Sequence, residues 1–139
     1  FPVVDVIATV YDGKTHPVDS KDIAFQIAGR QAFKEATGAA QPVLLEPIMN
    51  VTIKGPQVYM GAITGDLNSR RGRILGMNPE GTYQVIKAQV PMAELLNYST
   101  ELRSITGGTA EFTNELDHYQ EVPANISQKI ISEKKKNQE

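Results

Sequence analysis

Asn68, Ser69, Arg70 and Arg71 stand in a row before Gly72, closing the run Gly61-Ala62-Ile63-Thr64-Gly65-Asp66-Leu67. An amide, a hydroxyl and two guanidinium forks gathered at one helix end supply many hydrogen-bond donors together with positive charge. That chemistry suits a phosphate backbone. The same pattern has a plainer use, because cations near a helix C-terminus relieve the helix dipole, and Asn68 could equally cap the helix end. A second candidate is His16, in a loop that opens on the turn signal Asp12-Gly13 and reaches Pro17. A lone loop histidine is ordinarily just solvated. Its nitrogens can nevertheless reach a phosphate, a ribose hydroxyl or a base edge, and its ring can stack. Arg103-Ser104 follows a short helix, where pairing with Glu94 or Glu101 is the expected role of the arginine.

Other chemistries find little support. With no Cys there is no disulfide framework, thiol nucleophile or thiolate metal site. The two histidines, His16 and His118, lie too far apart to read as a metal motif, and neither sits in a pattern with an obvious nucleophile. No catalytic residue and no metal site is therefore expected. A net charge of −2 argues against a diffuse polycation, so any nucleic-acid contact must come from local patches. No apolar run approaches a membrane span, and no signal-peptide pattern opens the chain. A length of 139 residues suits one domain, or a domain plus a fragment. The start at Phe1-Pro2, moving directly into a strand-like run, reads as a piece of a longer polypeptide.

The elements that must position these residues follow from periodicity. Val4, Val6, Ala8 and Val10 alternate with polar neighbours, the period of a half-buried strand over residues 3–11. Asp19 or Ser20 is expected to cap a helix with Asp22 in its first turn. Ala24, Ala28, Ala32 and Ala36 form a small-residue stripe on it, widened by Ile23 and Ile27 and flanked by Phe25 and Phe33. Gly38 would end the helix, and Pro42 to Leu45 would return as a short strand. Two strands and one helix bury too little surface to fold reliably alone, so this stretch reads as half of a domain.

The remainder is more self-contained. Met49, Val51 and Ile53 alternate as a strand, and Gly55-Pro56 should start a helix whose apolar face is Met60, Ile63 and Leu67. Gly61 and Gly65 weaken that helix by roughly 1 kcal/mol each, so close packing is the expected reason for them. Strands are expected over 73–77 and 83–90, with a turn at Pro79-Glu80-Gly81. Pro91 should open a second helix carrying Met92, Leu95 and Leu96. Gly107-Gly108 breaks the chain before a last strand, 109–116, with Ala110, Phe112 and Leu116 inward. His118 and Tyr119 would end that strand by packing. A tail follows in which Ile126, Ile130 and Ile131 can dock one helical face before the frayed, solvated run Lys134-Lys135-Lys136. The fold class is α+β: a partial βαβ unit followed by a ferredoxin-like βαββαβ domain.

Several segments in this order resemble translation elongation factor G of the bacterial type. In the first part they are Pro2-Val3-Val4-Asp5-Val6, Asp12-Gly13 with His16, Val18-Asp19-Ser20, Ala24-Phe25 and Phe33-Lys34-Glu35-Ala36. Further on come Pro42 through Met49, Gly65 through Gly72, Leu102-Arg103-Ser104 and Asp117-His118-Tyr119. The resemblance covers essentially the whole chain. It implies that residues 1–46 are the C-terminal part of the fourth, translocation domain, 47–118 the ferredoxin-like fifth domain, and 119–139 a partly helical tail.

The resemblance also implies partners. Asp12, Gly13 and His16 would lie in the loop that enters the decoding centre and meets tRNA and mRNA. His16 falls where archaeal and eukaryotic relatives carry diphthamide, whereas a bacterial-type factor leaves it plain. Pro17, directly after the histidine, departs from familiar members. Asn68, Ser69, Arg70 and Arg71 would face large-subunit ribosomal RNA. The family's guanine-nucleotide domain is not present, since no GxxxxGK[ST] loop occurs, so GTP and magnesium belong to the parent protein and this chain should not hydrolyse GTP. Cytoplasm, bacterial rather than mitochondrial, is the implied compartment, with no membrane partner. An unpaired strand edge in residues 1–46 would recruit a second strand and give a non-physiological dimer. Competing readings are a related translational GTPase acting in ribosome recycling or ribosomal protection, and a stand-alone RNA-binding ferredoxin-like module. The last lacks the exposed aromatic pairs of an RRM surface. A small hydrolase or ligand-sensing domain on the same fold stays open.

Overall fold

The computed structural model describes residues 1–18 and 20–138. Asp19, one of the two expected helix caps and the end of the His16 loop, lies outside the described residues. The chain divides into two compact units, Phe1–Val43 and Leu44–Glu139, a break slightly before the expected boundary.

The first unit holds one helix, α1 (Asp22–Ala39), with Asp22 in its first turn as expected. Its N-cap is Lys21, which makes no side-chain capping bond. Ser20 falls one position before that cap, and its hydroxyl accepts the His16 backbone N–H. Gly38 lies inside the helix. The chain turns just after it, at Gln41 (φ 55°), in the left-handed region before Pro42. None of the residues of α1 is buried, and Ile23, Phe25, Ile27 and Phe33 are all exposed.

The strand expected over residues 3–11 does not form. Asp5 adopts φ 54°, which breaks the extended geometry, and Val10 and Tyr11 are 93% and 94% exposed. The expected return strand, Pro42 to Leu45, does not pair with it either. Leu45 instead begins a strand of the second unit, where it pairs with Glu121. A strand needs a neighbour for its N–H and C=O groups, and alternation alone does not supply one.

The second unit is built as expected in order. Its elements are β1 (Leu45–Pro56), α2 (Met60–Ser69), β2 (Arg73–Glu80), β3 (Tyr83–Pro91), α3 (Tyr98–Thr106), β4 (Glu111–Glu121) and α4 (Ala124–Lys136). The sheet is antiparallel in the order β2-β3-β1-β4, the ferredoxin-like arrangement, and the class is α+β. Register sets the core: Val51 opposes Ala88, and Ile53 opposes Ile86. Those side chains pack with Met60, Ile63 and Leu67 of α2 and with Leu95, Tyr98 and Leu102. Burying each large aliphatic among them contributes about 1.5–3 kcal/mol.

Element ends differ from expectation where proline stands. Gly55 and Pro56 close β1 rather than opening a helix, and a 3₁₀ turn, Gln57–Tyr59, intervenes. A Cβ on Gly55 would meet Ala110 Cβ at 3.0 Å, so close approach of Ala110, just before β4, explains that glycine. Pro91 likewise ends β3, and Met92–Leu95 forms a 3₁₀ turn ahead of α3. A prolyl ring fits the last strand position and also presets φ for the turn that follows.

β4 runs on to Glu121, so His118 and Tyr119 lie within it, and Tyr119 is exposed rather than packed. Leu116 falls beside a β-bulge and is 53% exposed, not inward. In α4, Ile126 and Ile130 are half-buried, and Lys134, Lys135 and Lys136 form its last turn rather than a frayed end. Among the described residues no helix is long and apolar enough to cross a membrane.

Candidate nucleic-acid interface

The end of α2 is shaped by a Schellman-type closure. Ser69 is the last helical residue and Arg70 the C-cap, while Arg71 takes φ 58° and the Gly72 N–H returns to Leu67 O at 2.9 Å. The left-handed position usually belongs to glycine; here it is an arginine, at a cost of about 1 kcal/mol. Gly72 is required for another reason. A Cβ there would lie 2.5 Å from Leu67 O and 3.2 Å from Val90 Cγ2.

One or both of the arginines would be expected to project to solvent from a helix whose apolar face is Met60, Ile63 and Leu67; both are instead engaged with the chain's own oxygens, their side chains 18% and 25% exposed. Arg71 grips Glu46 with both terminal nitrogens, Nη1–Oε1 at 2.7 Å and Nη2–Oε2 at 3.0 Å, and its Nε reaches Glu94 Oε1 at 3.3 Å. Glu46 is only 9% exposed, at the start of β1. Arg70 Nε donates to Asp66 Oδ2 (2.8 Å), one helical turn earlier, and Nη1 donates to the Glu94 carbonyl (2.8 Å).

The Arg70 guanidinium also lies over the Tyr98 ring, 5.0 Å from its centroid. Hydrogen bonds to Asp66 and to Glu46 hold Arg70 and Arg71, respectively, more firmly protonated than usual. Beneath Arg70, burial pushes the Tyr98 hydroxyl well up, and that hydroxyl has no hydrogen-bond partner among the described residues. The chain's positive charge at this corner is thus largely spent on its own carboxylates.

What faces solvent is the flank of the helix away from the core. Asn68 and Ser69 are exposed, with the Ser69 hydroxyl donating to Asp66 O at 2.6 Å. Arg73 and Arg103 are exposed and have no ion pair among the described residues. Asn68 is not a cap, since the left-handed position falls at Arg71. Gly61 and Gly65 are exposed too, and a Cβ on either meets nothing within 4 Å, so intramolecular packing does not explain them. Gly61→Ala and Gly65→Ala should each raise stability by about 1 kcal/mol in thermal melts of this chain, the helix-propensity difference with no steric offset. A loss of stability in either variant would show that the space beside α2 is occupied.

Asp12, Gly13 and His16 share one loop of the first unit and are all exposed. The Asp12 carboxylate accepts the N–H of its neighbour Gly13 at 2.7 Å. His16 Nδ1 accepts the Val18 N–H at 3.3 Å. The structure therefore gathers the candidates into two groups, each local to its own unit.

Sequence reasoning missed the acceptors Glu46 and Glu94, which are far from Arg71 along the chain. The Asp66–Arg70 pair had a readable signal, its i,i+4 spacing on a helix. The open face of the sheet carries a shallow hollow lined by Thr52, Lys54, Glu80, Val85, Glu111 and Thr113, crossed by a Lys54–Glu80 ion pair of 2.7 Å. Among the described residues no group of three His, Cys, Asp or Glu could hold a metal ion.

Comparison with known proteins matches this architecture. The family model described as elongation factor G C-terminus matches residues 43–130, and that described as elongation factor G, domain IV, matches residues 1–41. Elongation factor G of Aquifex pyrophilus is 54% identical over 134 residues, which is 96% of this chain and 19% of that protein. A crystal structure of a Thermus thermophilus protein superposes with a TM-score of 0.74 at 48% identity, covering 91% of this chain and 19% of that one. The chain thus spans about a fifth of the length of each of these relatives.

Proposed function

Because the chain belongs to the elongation factor G family, we propose that it is the ribosome-facing C-terminal region of a translational GTPase that moves tRNA and mRNA through the ribosome. The observation that carries this reading is the succession of the two family matches along one chain, with the exposed end of α2 in the second and the exposed His16 loop in the first. In this reading Asn68 and Ser69 meet large-subunit ribosomal RNA directly. Arg70 and Arg71 shape the turn that presents them, and Arg70 lends its remaining N–H groups. Small side chains at Gly61 and Gly65 let an RNA backbone approach the helix closely.

Asp12, Gly13 and His16 would contact tRNA and mRNA at the decoding centre, with the imidazole as donor or stacking surface. GTP and magnesium would be held by parts of the protein outside these residues, and the protein would work in the cytoplasm. The unpaired segment of residues 3–11 would take up a neighbouring strand, from the remainder of its domain or, in isolation, from a second copy.

The test uses the complete factor. His16→Ala should slow tRNA–mRNA movement by roughly five- to tenfold, the worth of about one hydrogen bond in a transition state, while ribosome-stimulated GTP hydrolysis stays near its original rate. Rapid-kinetic measurement of both steps on the same variant decides it. Equal losses in movement and hydrolysis would remove the loop from the decoding end.

A further inference from the structure

Asp12 is the only Asp or Asn in the chain that is followed by glycine. Both residues are exposed, and the stretch from Val6 to His16 belongs to no helix, strand or turn. The Gly13 N–H makes no backbone hydrogen bond among the described residues and donates instead to Asp12 Oδ1 at 2.7 Å. A Cβ built on Gly13 meets nothing within 4 Å, so the space beside this amide is open. The nitrogen of one residue thus lies against the carboxyl group of the residue before it, on a backbone that glycine leaves free to turn.

We propose that Asp12-Gly13 is a site of spontaneous modification, at which Asp12 converts to isoaspartate through a cyclic imide. The Gly13 nitrogen attacks Asp12 Cγ and gives up its proton, one carboxyl oxygen leaves as water, and a five-membered ring joins side chain to backbone. Water then opens the ring. Opening at Cγ restores aspartate. Opening at the backbone carbonyl leaves the chain running through Cβ and Cγ, with the former backbone carbonyl as a free carboxylate. The water released in the first step is consumed in the second, so mass and charge are unchanged and no oxidant or cofactor is needed.

The other described aspartates lack this combination. Asp22 lies in α1, Asp66 in α2 and Asp117 in β4, where regular structure fixes the backbone dihedrals that ring closure must change. The Asp66 carboxylate is also held by Arg70, and that of Asp117 by Asn50 and Gln89. Asp5 lies outside any helix or strand, but the β-branched Val6 after it crowds the attacking nitrogen. Isoaspartate places one extra carbon in the backbone ahead of His16, whose N–H and ring are tied to Ser20 and Val18. The shift therefore falls on the approach to the histidine. The chemistry stands on the local geometry; its consequence for tRNA and mRNA contact rests on the function proposed above.

Ageing the purified 139-residue chain at neutral pH and physiological temperature tests it. Labelled methyl transfer from S-adenosylmethionine by an isoaspartyl methyltransferase counts isoaspartate, and electron-transfer fragmentation of peptides locates it. Isoaspartate should accumulate at Asp12 faster than at any other aspartate. Gly13→Ala should slow it by about fivefold, the rate equivalent of roughly 1 kcal/mol of added barrier from the restricted backbone. Asp12→Glu, which would need a larger ring, should remove the signal from this position. Both substitutions fall on exposed residues outside the regular elements, so neither threatens folding. Isoaspartate spread evenly over the aspartates, absent from residue 12, or formed there at an unchanged rate in Gly13→Ala would overturn the proposal.

Discussion

Gly72→Ala lowers the stability of the Leu44–Glu139 unit by about 2–3 kcal/mol, the upper part of the range for forcing atoms into filled space. The added methyl would sit 2.5 Å from a backbone oxygen, Leu67 O, and 3.2 Å from Val90 Cγ2. Neither is the free end of a flexible side chain, so relief requires moving the end of α2 or the core strand β3. Moving α2 also breaks the Gly72 N–H bond to Leu67 O and disturbs the left-handed Arg71 beside it. Urea unfolding should show a lower midpoint with an unchanged slope. The contrast with Gly61→Ala and Gly65→Ala on the same helix, which should gain stability, separates close approach from helix propensity. A loss below about 0.5 kcal/mol, the scale of ordinary surface changes, would mean the helix end yields without cost.

Arg71→Gln should be nearly as damaging, costing about 2 kcal/mol. Removing one partner of a buried pair costs roughly 3–5 kcal/mol, and that figure is reduced here because the Arg71 side chain is 25% exposed. The variant leaves the Glu46 carboxylate, 11% exposed at its side chain, facing a neutral amide. A melting temperature lowered by about 10 °C is the expected reading. Adding Glu46→Gln should recover part of the loss, because the carboxylate leaves together with its partner; with the cost of Glu46→Gln alone also measured, the double-mutant cycle gives the coupling energy.

The same variant reports on RNA contact. A phosphate-bound arginine contributes about 0.7–0.9 to the salt slope of ribosome binding. With Nη1, Nη2 and Nε all engaged inside the protein, Arg71 should leave that slope nearly unchanged in the complete factor. A slope shallower by a full contact, with melting unaffected, would return Arg71 to the RNA surface.

Family, fold class and the order of elements in the second unit were legible because they rest on local properties. Alternation at Met49, Val51 and Ile53 marks a strand, and Met60, Ile63 and Leu67 at helical spacing mark a core face. Gly107 marks a helix end, borne out by its left-handed φ of 62°. Run together, these residues also spelled a family pattern specific enough to be recognised without coordinates.

Tertiary structure decided what each functional group is free to do. Glu46 lies 25 positions before Arg71, and only the folded sheet brings a nearly buried carboxylate within reach of that guanidinium. The donors that looked most available are consequently the most occupied, while Asn68 and Ser69 remain outward. Position in space also separated three glycines of one helix region: Gly72 is pressed against backbone, and Gly61 and Gly65 face open space. Residues 3–11 make the converse point. Their alternation is that of a strand, but alternation states only which side of a residue prefers burial. Whether the backbone pairs depends on a neighbouring strand contributed by distant sequence, and so does whether an arginine's charge is spent inside the molecule or offered outside it.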